Sequence, residues 1–160
     1  MADISVKIED NSKQVLQELD QATESALFAI GLLGVAGCVE KASEHDTATG
    51  RPTVKTGRYR SAFGFITPTQ GRMTPKKPED ESEPNDDISM QRADKDTVVI
   101  ANNVEYAPYL EYGTGTKEGG HHARYIMKRG IESKLSEMEE QTREILEGKN
   151  VNLSVDLGAE

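Results

Sequence analysis

Tryptophan is absent from this chain of 160 residues, and phenylalanine occurs only three times. Hydrophobic residues make up 35% of the sequence and charged residues 29%, which is a thin supply of side chains for a core. A chain of this length corresponds to one domain of ordinary size. We therefore expect a single domain over 1–148, with part of the chain lying outside its core.

Cysteine occurs once, at position 38, so no disulfide can form within the chain. Its place in an apolar stretch suits a small buried side chain in a reducing compartment. The first residues lack the basic region and apolar run of a signal peptide, and the longest apolar stretch, 26–39, is shorter than a bilayer-spanning helix. We expect a soluble protein made in the cytoplasm, with no membrane partner.

Positive charge is in short supply, since 19 basic residues stand against 28 acidic ones and the formal net charge is -9. Such an excess repels nucleic acid at long range. The cationic cluster Lys55, Arg58 and Arg60 could hold a phosphate, or it could pair with carboxylates of a neighbouring subunit from one face of a strand. The net negative charge favours the interpretation that this cluster lies at a protein interface. The alternative is a small nucleic-acid-binding module that uses the same cluster together with Arg124.

Catalytic motifs are also missing. His121 and His122 are adjacent, and adjacent residues on a helix or strand point apart, so a metal site would need a further ligand such as Glu118. The glycines between 113 and 120 are not followed by the Gly-Lys-Ser/Thr of a phosphate-binding loop. We expect no enzymatic activity, no metal and no cofactor, with a metal-dependent hydrolase as a further alternative.

Hydrophobic periodicity predicts two helices. Apolar residues recur at spacings of three and four from Val15 through Leu19 to Ala36, which is typical of a long amphipathic helix ending near Ser43. A second helix is predicted over 124–147. Its apolar stripe comprises Ile131, Leu135, Met138, Thr142 and Ile145, and Gly148 ends it.

Three glycines at intervals of three, Gly31, Gly34 and Gly37, lie inside the first predicted helix. Each lowers helix stability by roughly 1 kcal/mol relative to alanine, so a compensating contact is expected. The small residues could let another element of the same chain cross closely, or the crossing element could belong to a neighbouring subunit. The sequence leaves both interpretations open.

Alternating apolar and polar residues predict a short strand at 4–8, and two more strands are expected at 61–67 and at 96–101, the latter from Val98, Val99 and Ile100. The last two flank a long acidic, proline-containing loop at 69–95, so they form a hairpin with an extended connection. We therefore expect an α+β fold, in which a small, mostly antiparallel sheet packs against the two helices.

The C-terminal arm, 149–160, shows the same alternation and is predicted to form a strand. Its apolar residues are Val151, Leu153, Val155 and Leu157. A terminal strand can pair within its own sheet or lie along the open edge of a neighbour.

Two segments of the chain carry a resemblance to a known family. The segment 56–61, TGRYRS, is similar to a T-G-R-L-R-x-S element, and 104–115, VEYAPYLEYGTG, is similar to an N-x-x-x-Y-A-x-x-x-E-x-G-T-G element. Both elements, in this order, are found in the phage minor tail components that complete the tail and join it to the head. The family's Arg-Pro-Phe-Leu segment before the last helix is replaced here by 124–127, RYIM, which keeps the arginine and loses the proline.

The resemblance implies a structural virion protein at the head-tail junction of a long-tailed phage, either a tail-completion (terminator) ring or an adjacent connecting ring. Its partners would be copies of itself, commonly six, together with the connector of the head and the tail tube protein. The genome would pass through the central channel without specific binding, and a negative channel wall would let DNA slide.

The resemblance places the contacts between subunits on the two motifs and on the arginine that follows them. These residues are Thr56, Gly57, Arg58, Arg60, Tyr106, Tyr109, Glu111, Tyr112, Gly113, Gly115 and Arg124. The acidic loop would face either the DNA channel or a partner ring. Its carboxylates are Glu79, Asp80, Glu81, Glu83, Asp86 and Asp87.

Overall fold

The computed structural model describes residues 12–45, 57–69, 93–114 and 122–148. The elements in these ranges are α1 (Ser12–Ser43), α2 (Gly57–Ser61), β1 (Phe63–Ile66), β2 (Val99–Asn102), α3 (Ala107–Tyr112) and α4 (Ile126–Leu146). A long N-terminal helix, an antiparallel pair of strands and a C-terminal helix confirm the predicted α+β class. The strands predicted at 4–8 and in the arm lie outside the described residues.

The two strands pair in antiparallel register, with Phe63 opposite Asn102 and Ile66 opposite Val99. This confirms that the segments on either side of the acidic loop form a hairpin pair. The first strand is shorter than predicted, because 57–61 forms the short helix α2 instead of extending it. All four residues of β1 are buried.

Helix α2 corrects the expectation that Arg58 and Arg60 share one face of a strand. Residues two apart on a helix point in different directions, so the two guanidinium groups do not form a common surface through their spacing. The side chain between them, Tyr59, is the one that α2 buries.

Helices α1 and α4 pack antiparallel, crossing where Gly37 meets Gly130. A Cβ added at Gly130 would lie 2.6 Å from the amide nitrogen of Cys38, so the two backbones touch at this point. Glycine at the crossing permits a separation that any side chain would prevent. Beyond it, Lys134 pairs with Glu40 at 2.9 Å and Arg129 with Glu44 at 2.7 Å.

The other two glycines of α1 also meet elements of the same chain. Gly31 lies against Phe65 of β1, and Gly34 lies against Ile100 of β2 and the end of Met138 on α4. The interpretation that the small residues admit close neighbours within one chain is therefore confirmed.

The core lies between the second half of α1, the strand pair and the start of α4. Its members are Val35, Cys38, Ala42, Tyr59, Ala62, Phe63, Phe65, Val104, Ala107 and Ile126. The predicted stripe of α1 is right from Ala26 onwards and wrong at its start, where Val15 and Leu19 are exposed. In α1 the burial begins where other described elements reach the helix.

Helix α4 is close to its predicted bounds and ends as expected. Gly148 takes a positive φ of 74°, and its amide donates to the carbonyl oxygen of Ile145 at 3.0 Å. This glycine satisfies a terminal carbonyl in the manner of a helix C-terminus. Leu135, assigned to the buried stripe, is exposed instead.

By length and composition, α1 is apolar enough to cross a membrane, which corrects the expectation that no stretch of the chain has the necessary length. In the fold, 56% of its most apolar window is buried. The core helix of a soluble protein satisfies the same criterion, and α1 packs its glycines and alanines against α4 and the strands.

Candidate subunit interface

Tyr59 is the central aromatic residue of the first motif. It is completely buried, with its ring edge-to-face against Phe63 at 5.0 Å between centroids and stacked with Tyr106 at 6.2 Å. Aromatic pairs in these geometries add to the free energy of burial. The short helix α2 therefore fixes the first motif to the core through one side chain.

Glu111, in the second motif, is a carboxylate held inside the fold and only 7% exposed. Its Oε1 accepts a hydrogen bond from the Tyr59 hydroxyl at 3.2 Å and another from the Met127 amide at 2.7 Å. Met127 lies in the first turn of α4, where amide groups lack partners within the helix and negative charge is favoured. Glu111 thus joins α2, α3 and α4.

Burial and the charge of Glu111 change the acidity of the neighbouring groups. The pKa of the Tyr59 hydroxyl is raised, first by burial and then by the nearby carboxylate. The pKa of the Cys38 thiol rises from 9.0 to about 12 for the same two reasons. Both groups are therefore neutral at physiological pH.

Asn102 makes a second connection between the motifs. Its Nδ2 donates to the Tyr59 carbonyl oxygen at 2.8 Å, while its Oδ1 accepts from the Val104 amide at 3.1 Å. The end of β2 is thereby tied to α2 and to the turn that leads into α3. Two motifs that are far apart in sequence form one packed unit.

Three tyrosines on the outside of this unit form what we call the tyrosine surface: Tyr109, Tyr112 and Tyr125. Their exposed fractions are 58%, 76% and 47%. The main chain holds α3 beside the entry to α4, because the Arg124 amide donates to the Leu110 carbonyl oxygen at 2.9 Å and the Tyr125 amide to that of Glu111 at 3.3 Å. Tyrosine is enriched in protein interfaces, where its ring buries area and its hydroxyl bonds.

The entry to α4 has an unusual backbone. Tyr125 precedes the helix with a left-handed φ of 49°, which is uncommon for a residue other than glycine. Proline, whose φ is fixed near -65°, cannot adopt this conformation. Tyr125 thus takes a backbone conformation that a proline at the same position, as in the Arg-Pro of the minor tail components that the segment resembles, could not adopt.

The cationic residues of the first motif do not converge in the described structure. Arg60 donates from Nη1 to the Ser43 hydroxyl at 3.5 Å. The Nε of Arg58 is buried and has no hydrogen-bond partner among the described residues. Lys55, the third member of the cluster, lies outside those residues.

The remaining assigned residues divide into two groups. Gly57 begins α2, Tyr106 is partly buried, and Gly113 ends α3 with a φ of 75° and an amide that donates to Tyr109 at 3.0 Å. The others lie outside the described residues: Thr56, Gly115, the acidic loop and the C-terminal arm. Their part in subunit contacts stays a prediction.

The described residues contain no group of three or more metal-binding side chains. His122 is exposed, whereas His121 and Glu118 fall in the part of the chain that is not described. The metal-dependent hydrolase therefore stays an alternative prediction.

Comparison with known proteins gives no match for this chain among family models, curated proteins or solved structures.

Sequence reasoning missed the two short helices and the buried position of Glu111. Pro108, in the first turn of α3, is a residue typical of helix starts and could have indicated that helix. No local pattern marks Glu111 as buried, because its partner Tyr59 is 52 residues away.

Proposed function

We propose that this protein is a non-enzymatic structural subunit of a ring of six identical copies at the head-tail junction of a tailed phage. The ring would complete the tail or connect it to the head, and the genome would pass through its centre. The subunits would contact one another through the two motifs, with the tyrosine surface as the central patch.

The observation that carries the proposal is the joining of the two motifs through Glu111. Both segments that resemble the minor tail components pack into one unit, held by the bonds of Glu111 to Tyr59 and Met127. On the surface of this unit, Tyr109 and Tyr112 of the second motif are exposed. An arrangement that is rigid inside and aromatic outside supports a role in binding another protein.

Net charge supports the location in a DNA channel. Each chain carries a formal charge of -9, so a ring of identical copies would present a strongly negative field. Phosphates are not held by such a wall, which suits a genome that must slide.

The decisive experiment is electron microscopy of phage particles that lack this subunit. We expect unjoined heads together with headless or overlong tails, and restoration of complete particles when the wild-type chain is supplied. Normal particles in its absence would refute the role at the junction.

Duplex DNA binding by the purified chain tests the nucleic-acid alternative. The proposal predicts no affinity with a steep dependence on salt, because the divergence of Arg58 and Arg60 on α2 leaves no shared cationic face through their spacing. Strong, salt-sensitive binding that is lost in Arg58→Ala would favour the alternative.

A further inference from the structure

The first turns of α1 carry an apolar face. Val15, Leu16 and Leu19 are 59%, 59% and 53% exposed. Every residue from 12 to 21 is exposed in the described structure, so this part of the helix projects beyond the core. Positions three and four apart lie on the same side of a helix, which groups these three side chains together.

This face continues the side of α1 that α4 covers. Alternating steps of three and four residues lead from Leu16 and Leu19 along one side of the helix to Gly37. Gly37 is the residue that meets Gly130 of α4. The exposed leucines are therefore the extension of the α4-facing side past the point where α4 ends.

The antiparallel pairing shows where α4 stops. The helices cross where Gly37 meets Gly130. Sixteen residues forwards along α4 lead from there to its last residue, Leu146, and sixteen residues backwards along α1 lead to Gln21. Gln21 is also where the exposed part of α1 begins. By this count the chain leaves α4 at about the level of Gln21, two residues from Leu19 along α1.

We propose that the C-terminal arm, 149–160, folds back along α1 of its own chain and covers Val15, Leu16 and Leu19 with its alternating apolar residues. The arm would take over the side of α1 that α4 leaves open, with Asn152, Ser154 and Asp156 turned to solvent. This inference goes beyond the ring assignment and does not depend on it.

The length and direction of the arm fit this site. Its 12 residues reach roughly 40 Å when extended, whereas Gln21 and Val15 are only about 9 Å apart along the helix axis. The N-terminal residues are a poorer occupant, because only three positions separate Ile8 from Ser12 and the chain would have to reverse at once. The arm instead would approach from the end of α4, along the apolar side of α1.

Hydrogen exchange of the full-length protein tests the contact. Leu153→Asp should accelerate amide exchange over residues 13–21 by about tenfold, the factor expected when one leucine is exposed. Ser154→Asp adds the same charge to the adjacent, outward position and should leave exchange there unchanged. Equal effects of the two variants, or acceleration only in Val6→Asp, would overturn the proposal.

Disulfide trapping distinguishes the chain's own arm from that of a second copy. In Leu16→Cys combined with Leu153→Cys, oxidation should give an intrachain disulfide whose yield does not depend on protein concentration. Gln17→Cys with Leu153→Cys, on the opposite side of α1, should react much more slowly. Disulfide-linked dimers as the main product, or equal rates for the two pairs, would contradict docking within one chain.

Discussion

Glu111 is the residue on which the packing of the two motifs depends. Its Oε1 accepts hydrogen bonds from the buried Tyr59 hydroxyl and from the partly buried Met127 amide, and both donors would lose this partner without it. A buried donor that loses its acceptor destabilises a fold by about 1–3 kcal/mol. The residue assigned from sequence to a subunit contact thus makes its described bonds inside the subunit.

Two substitutions of Glu111 should lower the free energy of unfolding by different amounts. Glu111→Gln removes the charge but keeps an acceptor, at a cost of about 1 kcal/mol, whereas Glu111→Ala leaves both donors unpaired and costs about 2–5 kcal/mol. Urea denaturation measures both values. Glu139→Ala, at an exposed carboxylate of α4, should have little effect, and equal losses in the two Glu111 variants would contradict the bonding described.

Alkaline pH should destabilise the protein through Cys38 and Tyr59. Both have pKa values raised in the folded state, so the unfolded chain loses these protons first. The contribution of Cys38 is intact below pH 9 and is lost as the pH rises from 9 towards 12. Thermal denaturation across this range should show a falling Tm.

The control for the alkaline effect is Cys38→Ala, which removes one titrating group. Its Tm should start lower because packing is lost, but it should fall less steeply between pH 9 and pH 12 than the Tm of the wild type. Parallel curves for the two proteins would show that the buried thiol does not contribute.

At the scale of elements, the crossing of α1 and α4 determines how the helices sit on the strand pair. The contact at Gly37 and Gly130 is between backbones, and the ion pair of Lys134 with Glu40 lies on the side of the crossing towards the end of α1. Because main-chain atoms cannot rotate aside, this spacing tolerates no added side chain.

Alanine substitutions in α1 should differ according to what their Cβ meets. Gly37→Ala would overlap the Gly130 carbonyl and should cost about 3 kcal/mol, although alanine favours an isolated helix by roughly 1 kcal/mol. Gly34→Ala meets the end of the Ile100 side chain, which can move, and should cost about 1 kcal/mol or less. Chemical denaturation of both variants checks this order, and a neutral Gly37→Ala would contradict the backbone contact.

At the scale of the whole molecule, the proposed ring predicts that the tyrosine surface serves assembly and contributes little to the stability of the subunit. Tyr112 is the most exposed of its three members, so Tyr112→Asp should leave the Tm unchanged while preventing incorporation into particles. Complementation of particles lacking the subunit measures incorporation. Leu135→Asp, at an exposed hydrophobic residue of α4 outside this surface, is the matched control and should still complement.

The sequence by itself determined the two long helices, the two strand segments and the glycine stop at 148, because each depends on periodicity or on conformational preferences within a few residues. Tertiary structure decided the rest. Contacts between distant segments determine three features that local spacing did not predict: the burial of Glu111, the helical conformation of Arg58 and Arg60, and the exposure of Val15. Such meetings follow from packing of the whole chain, which local spacing does not encode.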